Sequence, residues 1–94
     1  LQYLTNLQTL YMSGCTKITD ISVLQHLTNL HTLDISYCYQ ITGITTLENI
    51  TNLLSLDIRG CYKITDITVL KNLINLQSLY MSSCSKQILQ YYNI

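Results

Sequence analysis

Four cysteines are the residues of this sequence best suited to metal, disulfide or redox chemistry. Cys15, Cys38, Cys61 and Cys84 follow one another at an even spacing of 23 residues. A tetrahedral zinc site needs four sulfur atoms around one point, and a disulfide needs a specific torsion between its two cysteines. An even spacing along a repeating chain instead places the thiols in one line. We therefore expect buried free thiols that fill space and donate weakly to turn carbonyls, with no metal and no cofactor.

The two histidines do not indicate catalysis. His26 and His31 lie at unrelated positions, and no carboxylate or thiol stands in register with either of them. A general base needs a partner within hydrogen-bond reach, and the chain has no CxxC, HExxH or glycine-rich phosphate loop. We therefore expect a chain without enzymatic activity. The alternative is that a catalytic domain lies elsewhere in a longer parent protein.

The composition of the chain indicates which kinds of partner to exclude and which cellular compartment to expect. The chain has 94 residues, of which 48% are hydrophobic and 11% charged, and its formal net charge is zero. Nucleic-acid binding needs a cationic face, and a membrane span needs about 18 consecutive apolar residues, so we expect neither partner. No basic leader precedes an apolar stretch, although the chain begins with Leu1. Unpaired thiols suit a reducing compartment, which predicts cytoplasmic or nuclear residence.

An internal repeat organises the whole chain. Residues 4–26, 27–49, 50–72 and 73–94 align without a gap, and residues 1–3 match residues 24–26, as the tail of an upstream copy would. The last copy departs from the pattern at Gln87 and ends at Ile94, which predicts a partial C-terminal cap. We expect one domain that is a fragment of a longer array.

Each copy carries the motif L-x-x-L-x-(I/M)-x-x-C, for instance Leu30, Leu33, Ile35 and Cys38. This motif resembles the leucine-rich-repeat family. The segment around Cys15 resembles the cysteine-containing class found in F-box proteins, whereas residues 27–30 are more like the internalin type. The resemblance implies an α/β right-handed solenoid that has a parallel concave sheet, short helical or 3₁₀ convex segments and a role in protein recognition.

Side-chain alternation assigns faces within each copy. Leu10 and Met12 point to one face of a strand, and Thr9 and Tyr11 to the other. Asp20 and Asp66 precede a short apolar segment, so they are expected to cap its helical turn. One asparagine stands before each strand, where its side chain can satisfy turn amides; these residues are Asn6, Asn29, Asn52 and Asn75.

The outward strand positions form the candidate binding surface. One row across the sheet contains Tyr11, Asp34, Asp57 and Tyr80, whose side chains are expected to stand out above smaller neighbours. Arg59 has two possible roles on this surface. It either neutralises the aspartate pair, which would leave a surface without a binding role, or it borders an anionic patch that binds a protein partner with a basic patch. The predicted partner-binding residues are Tyr11, Asp34, Tyr37, Asp57, Arg59 and Tyr80, and Tyr39 and Tyr62 extend their patch along the rim.

The start of the array lacks a cap. Leu4, Leu7, Leu10 and Met12 would face solvent there, which predicts upstream repeats or end-to-end self-association. The favoured function is a protein–protein interaction module. The alternatives are a structural spacer or a piece of a larger ubiquitin-ligase adaptor or host-directed effector.

Overall fold

Each repeat folds as one coil that contributes one short strand to a parallel sheet. The structure, a computed structural model, describes residues 5–84. Its strands are β1 (Thr9–Tyr11), β2 (Thr32–Asp34), β3 (Ser55–Asp57) and β4 (Ser78–Tyr80), and they lie in the order β1-β2-β3-β4. Every residue of β1, β2 and β3 pairs with the residue 23 positions later, as in Leu10 with Leu33 and Leu33 with Leu56. The predicted register is therefore confirmed.

Short 3₁₀ helices form the opposite side of each coil. They span Ser22–His26, Thr45–Asn49 and Thr68–Asn72. Asp20 accepts a hydrogen bond from the N–H of Ser22 at 2.8 Å, and Asp66 accepts one from the N–H of Thr68 at 2.9 Å. Each aspartate therefore bonds the first N–H of its helix, as predicted, but it does so from the position before the N-cap residue, which is Ile21 or Ile67. No helix within residues 5–84 is long and apolar enough to cross a membrane.

Aliphatic side chains from successive coils fill the space between sheet and helices. Leu33 and Leu56 are fully buried beneath the sheet, and Leu24 and Leu47 are fully buried beneath the helices. Leu10 of the first coil is only half-buried. Burying an aliphatic side chain contributes about 1.5–3 kcal/mol, and stacking is what completes that burial.

Some predicted features lie outside the described residues. They are the tail at residues 1–3, the apolar Leu4, and the partial cap from Gln87 to Ile94. The coil boundaries within residues 5–84 follow the repeat, and a strand, a turn and a 3₁₀ helix recur in each of the first three coils.

Candidate functional site

The parallel register brings the predicted surface row together. Tyr11 pairs with Asp34, Asp34 with Asp57, and Asp57 with Tyr80. The two tyrosines at the ends of this row are 70% and 50% exposed, so they stand out from the sheet as expected. We call this row of four side chains the sheet-face row.

Asp57 differs from the expectation that all four side chains stand out. It is only 7% exposed, and its carboxylate accepts hydrogen bonds from the Arg59 backbone N–H at 3.1 Å and from the Arg59 guanidinium at 2.6–3.2 Å. Because burying an unpaired carboxylate is costly, the adjacent arginine folds over it. The Asp57 carboxylate also raises the pKa of Arg59. These contacts offset the negative charge of Asp57.

Arg59 extends from Asp57 onto the next strand. Its guanidinium carbon lies 5.5 Å from the centre of the Tyr80 ring, within the range of a cation–π contact. One arginine therefore joins the carboxylate of β3 to the aromatic ring of β4.

Asp34 lies in the same column but has a different environment. It is half-buried, and its Oδ1 accepts a hydrogen bond from the Ser36 N–H at 2.9 Å. Among residues 5–84, Asp57 and Arg59 form a salt bridge, and no basic side chain bonds Asp34. The sheet-face row therefore retains one negative charge, at Asp34.

Three tyrosines form a second aromatic group at the turns after β2 and β3. The Tyr39 and Tyr62 rings stack with centres 5.3 Å apart, and the Tyr37 ring meets Tyr39 edge to face at 6.4 Å. The structure thus brings the predicted Tyr37 together with the two tyrosines expected along the rim. We call this group the turn tyrosines.

Tyr37 has a backbone conformation that is unusual for its residue type. Its φ is +58°, close to the +73° of Gly14 and +74° of Gly60 at the equivalent turn positions. The Tyr37 ring lies over Gly60, where an added Cβ would overlap ring carbons. The sequence signal of this contact is the alternation of Gly14, Tyr37 and Gly60 in one column of the repeat.

Three of the four cysteines are buried and donate to carbonyls as expected, and Cys15 differs. Cys38, Cys61 and Cys84 are buried and donate to carbonyls of the preceding coil at 3.0–3.1 Å, as in Cys61 Sγ to the Ile35 oxygen. All four thiols are free, and Cys15 is half-buried. Burial raises the pKa of the Cys61 thiol to about 12 and raises those of Cys38 and Cys84. Buried neutral thiols of this kind are poor nucleophiles.

Two of the four asparagines before the strands donate a hydrogen bond, whereas they were predicted to accept one. Asn29 and Asn75 donate their side-chain N–H to the carbonyls of Thr5 and Thr51 at 2.9 Å, rather than accepting from turn amides. Each bond joins one coil to the coil before it. All four asparagines are exposed, namely Asn6, Asn29, Asn52 and Asn75.

Known proteins share the sequence repeat and the architecture of this chain. A family model described as "Leucine Rich repeats (2 copies)" matches residues 5–49 and 28–72. An internalin (inlF) from Listeria monocytogenes str. 4b F2365 is 30% identical, with a TM-score of 0.72 over 88% of this chain and 30% of its own. Internalin C2 (inlC2) from the same strain is 25% identical, with a TM-score of 0.68 over 88% of this chain and 45% of its own. No match was found among curated proteins.

The family matches end at residue 72, before the coil that contains β4. This chain spans less than half the length of either internalin structure, so the likeness concerns the repeat array and not the whole of those proteins. The family model covers the coils that contain β1, β2 and β3. The chain therefore belongs to the leucine-rich-repeat family.

Proposed function

We propose that this chain is a non-enzymatic protein-recognition module whose sheet-face row binds a basic group of a partner protein. The observation that carries this proposal is the state of Asp34, a carboxylate that forms no salt bridge with any basic side chain within residues 5–84. The exposed Tyr11 lies beside it in register, and Tyr80 stands at the other end of the row. Leucine-rich-repeat proteins serve in general as interaction scaffolds, which agrees with this role.

The physical properties of the face support binding. Its strands are held by a ladder of backbone hydrogen bonds, so a partner meets a preformed surface and little ordering entropy is lost. Tyrosine offers a large contact area and a polar tip with few rotatable bonds, which makes it a favoured interface residue. The single charge in excess favours a cationic partner group over an anionic one.

A variant of the sheet-face row tests this proposal. Tyr11→Ala, Asp34→Asn and Tyr80→Ala together remove the two rings and the excess charge. Gln25→Ala, Glu48→Ala and Lys71→Ala together change only exposed side chains on the helix side and serve as the matched control. We expect the partner captured by the unchanged chain to be lost with the first variant and kept with the second, at equal melting temperature. If the first variant still captures the partner fully, the sheet-face row has no role in binding and the chain is better explained as a structural spacer.

End-to-end association of the array is the second candidate. It is favoured by the first described coil, where Leu7, Leu10 and Met12 are half-buried, whereas the equivalent Leu30, Leu33 and Ile35 are fully buried. A second copy that packs against this coil would remove apolar surface from water. Sedimentation velocity over a range of concentrations tests this, and a monomer at every concentration would contradict it.

We also infer a reducing compartment for the chain. Four free thiols, one of them half-buried, are typical of proteins that never meet an oxidising environment. Mass spectrometry of the protein from its native source, alkylated before lysis, is expected to show four unmodified thiols. A disulfide between Cys15 and another cysteine would contradict the inference.

A further inference from the structure

One arginine of this chain already occupies a site between a carboxylate and a tyrosine. Asp57 accepts from Arg59 Nε at 3.0 and 3.2 Å and from its NH2 group at 2.6 Å, and the guanidinium lies over the Tyr80 ring. Asp57 and Tyr80 are direct neighbours across β3 and β4. This arrangement, which we call the filled site, shows how the sheet face holds a guanidinium group.

The neighbouring coils contain the same pair without an arginine. Asp34 and Tyr11 are direct neighbours across β2 and β1, with the same residue types in the same column as the filled site. The position that corresponds to Arg59 is Ser36, which cannot reach the carboxylate with a charged group. Tyr11 is the most exposed of the five tyrosines within residues 5–84. We call Asp34 and Tyr11 the open site.

Each of the two carboxylates accepts a hydrogen bond from the backbone N–H two residues later. Asp34 Oδ1 accepts from the N–H of Ser36 at 2.9 Å, and Asp57 Oδ1 accepts from the N–H of Arg59 at 3.1 Å. Both side chains are therefore turned toward the residue two positions later, on the outward face of the sheet. In the filled site the tyrosine lies on the strand after the aspartate, β4 after β3. In the open site it lies on the strand before the aspartate, β1 before β2. An incoming group would therefore approach Asp34 from the side away from Arg59.

We propose that the open site binds an arginine side chain of the partner protein, a deepening that rests on the function proposed above. A guanidinium group is planar, so it can bond a carboxylate with two N–H groups while one face lies on an aromatic ring. A lysine ammonium group is a compact, strongly hydrated charge that cannot make both contacts in this geometry. The intramolecular Arg59 makes both, and the open site presents the same two partners to solvent.

Small probes test this preference on the full chain. N-acetyl-arginine-N-methylamide and its lysine analogue would be titrated separately while the NMR signals of the Tyr11 ring and the Asp34 carboxylate are followed. We expect arginine-specific shifts at both residues, with the lysine probe binding about threefold or more weakly because it lacks the stacked, bidentate contact. Equal affinity for the two probes, or no shift at Tyr11, would overturn the proposal.

Substitutions show which residues bind the arginine probe and distinguish the loss of a charge from a loss of folding. Asp34→Asn keeps an oxygen that can accept from Ser36 but removes the charge, and Glu48→Gln is the matched isosteric change on the helix side. Tyr11→Leu removes the ring, with Tyr62→Leu as its control among the turn tyrosines. We expect arginine binding to fall by at least about threefold in the first member of each pair and to stay unchanged in the second. The reverse pattern would contradict the assignment.

A filled version of the open site gives a direct test. Ser36→Arg places an arginine two residues after Asp34, as Arg59 follows Asp57, so it should occupy the site from within and abolish probe binding. Should this variant fail to fold, the Asp34→Asn and Tyr11→Leu results stand on their own. Loss of partner capture in the sheet-face variant together with equal binding of the two probes would refute the arginine assignment alone. Undiminished capture in that variant would refute the proposed function itself.

Discussion

The turn residue after each strand requires a left-handed backbone. Positions 14, 37, 60 and 83 all have φ between +58° and +74°. Glycine adopts this conformation without steric cost, whereas a side chain makes it unfavourable. A tyrosine at position 37 therefore carries strain, which its ring contacts with Gly60 and Tyr39 offset. Unusual backbone conformations of this kind concentrate at functional sites.

Alanine substitution at two equivalent glycines isolates the Tyr37 contact. Gly14→Ala adds only backbone strain, because nothing lies within 4 Å of the new Cβ, and it should cost about 1 kcal/mol. Gly60→Ala adds the same strain and an overlap with the Tyr37 ring, so it should cost about 2–3 kcal/mol. Urea denaturation measures both. Combining Gly60→Ala with Tyr37→Ala is expected to recover the difference, and equal costs for the two glycines would refute the contact.

Thiol reactivity is expected to differ sharply along the cysteine column. Cys15 is half-buried, whereas Cys61 is fully buried and has a pKa raised to about 12 by burial. Because the thiolate is the reacting species, a thiol reagent near neutral pH should modify Cys15 first. Peptide mass mapping over time measures the order, and Cys15→Ser should remove the fast phase. Early labelling of Cys61 would contradict the buried position of its sulfur.

The second 3₁₀ helix, Thr45–Asn49, lacks the aspartate that bonds the first N–H of each neighbouring helix. Gly43 stands where Asp20 and Asp66 accept from the first N–H of their helices. An added Cβ at position 43 meets nothing within 4 Å. Gly43→Asp should therefore stabilise the chain by about 1 kcal/mol more than Gly43→Ala, which adds the Cβ without the cap. Thermal melting of the two variants measures this difference, and equal stability would show that the cap adds nothing in this coil.

The cap of the third helix should be sensitive to acid. Hydrogen bonds from the N–H and hydroxyl of Thr68 lower the pKa of Asp66. A carboxyl group whose pKa is lower in the folded than in the unfolded state stabilises the fold at any pH above its unfolded pKa, which is near 4. That stabilisation is lost as the pH falls through the pKa of the folded state. The stability difference between the unchanged chain and Asp66→Ala should therefore shrink below about pH 4. Asp66→Asn keeps an uncharged acceptor, so its difference from Asp66→Ala should not change with pH.

The stability of the folded chain depends on apolar side chains that are buried between neighbouring coils. Leu56 in β3 is fully buried between two neighbouring strands, and Leu10 in β1 is half-buried. Leu56→Ala should cost about 2–5 kcal/mol, and Leu10→Ala clearly less. Denaturant titration measures both changes. Equal costs would mean that another molecule covers the first coil in solution.

Features repeated in every copy could be predicted from the sequence. The 23-residue spacing indicates which residues share a column, and strand alternation indicates their face, so the register of Tyr11 with Asp34 followed directly. The direction of a long side chain could not be predicted in this way. Arg59 could reach either Asp34 or Asp57, and only the packed structure shows that it folds over Asp57. The bond from Asn29 to Thr5 was missed for the same reason, since an amide can donate or accept.

The contact between Tyr37 and Gly60 has a consequence for how this array could change in length. In most columns neighbouring coils carry similar residues, so copying one block in the gene would give a chain that still packs. A tandem copy of residues 27–49 alone would instead place a second tyrosine, with its Cβ, where the ring of Tyr37 now rests on bare glycine backbone. Insertions that preserve this contact should therefore never copy residues 27–49 without residues 50–72.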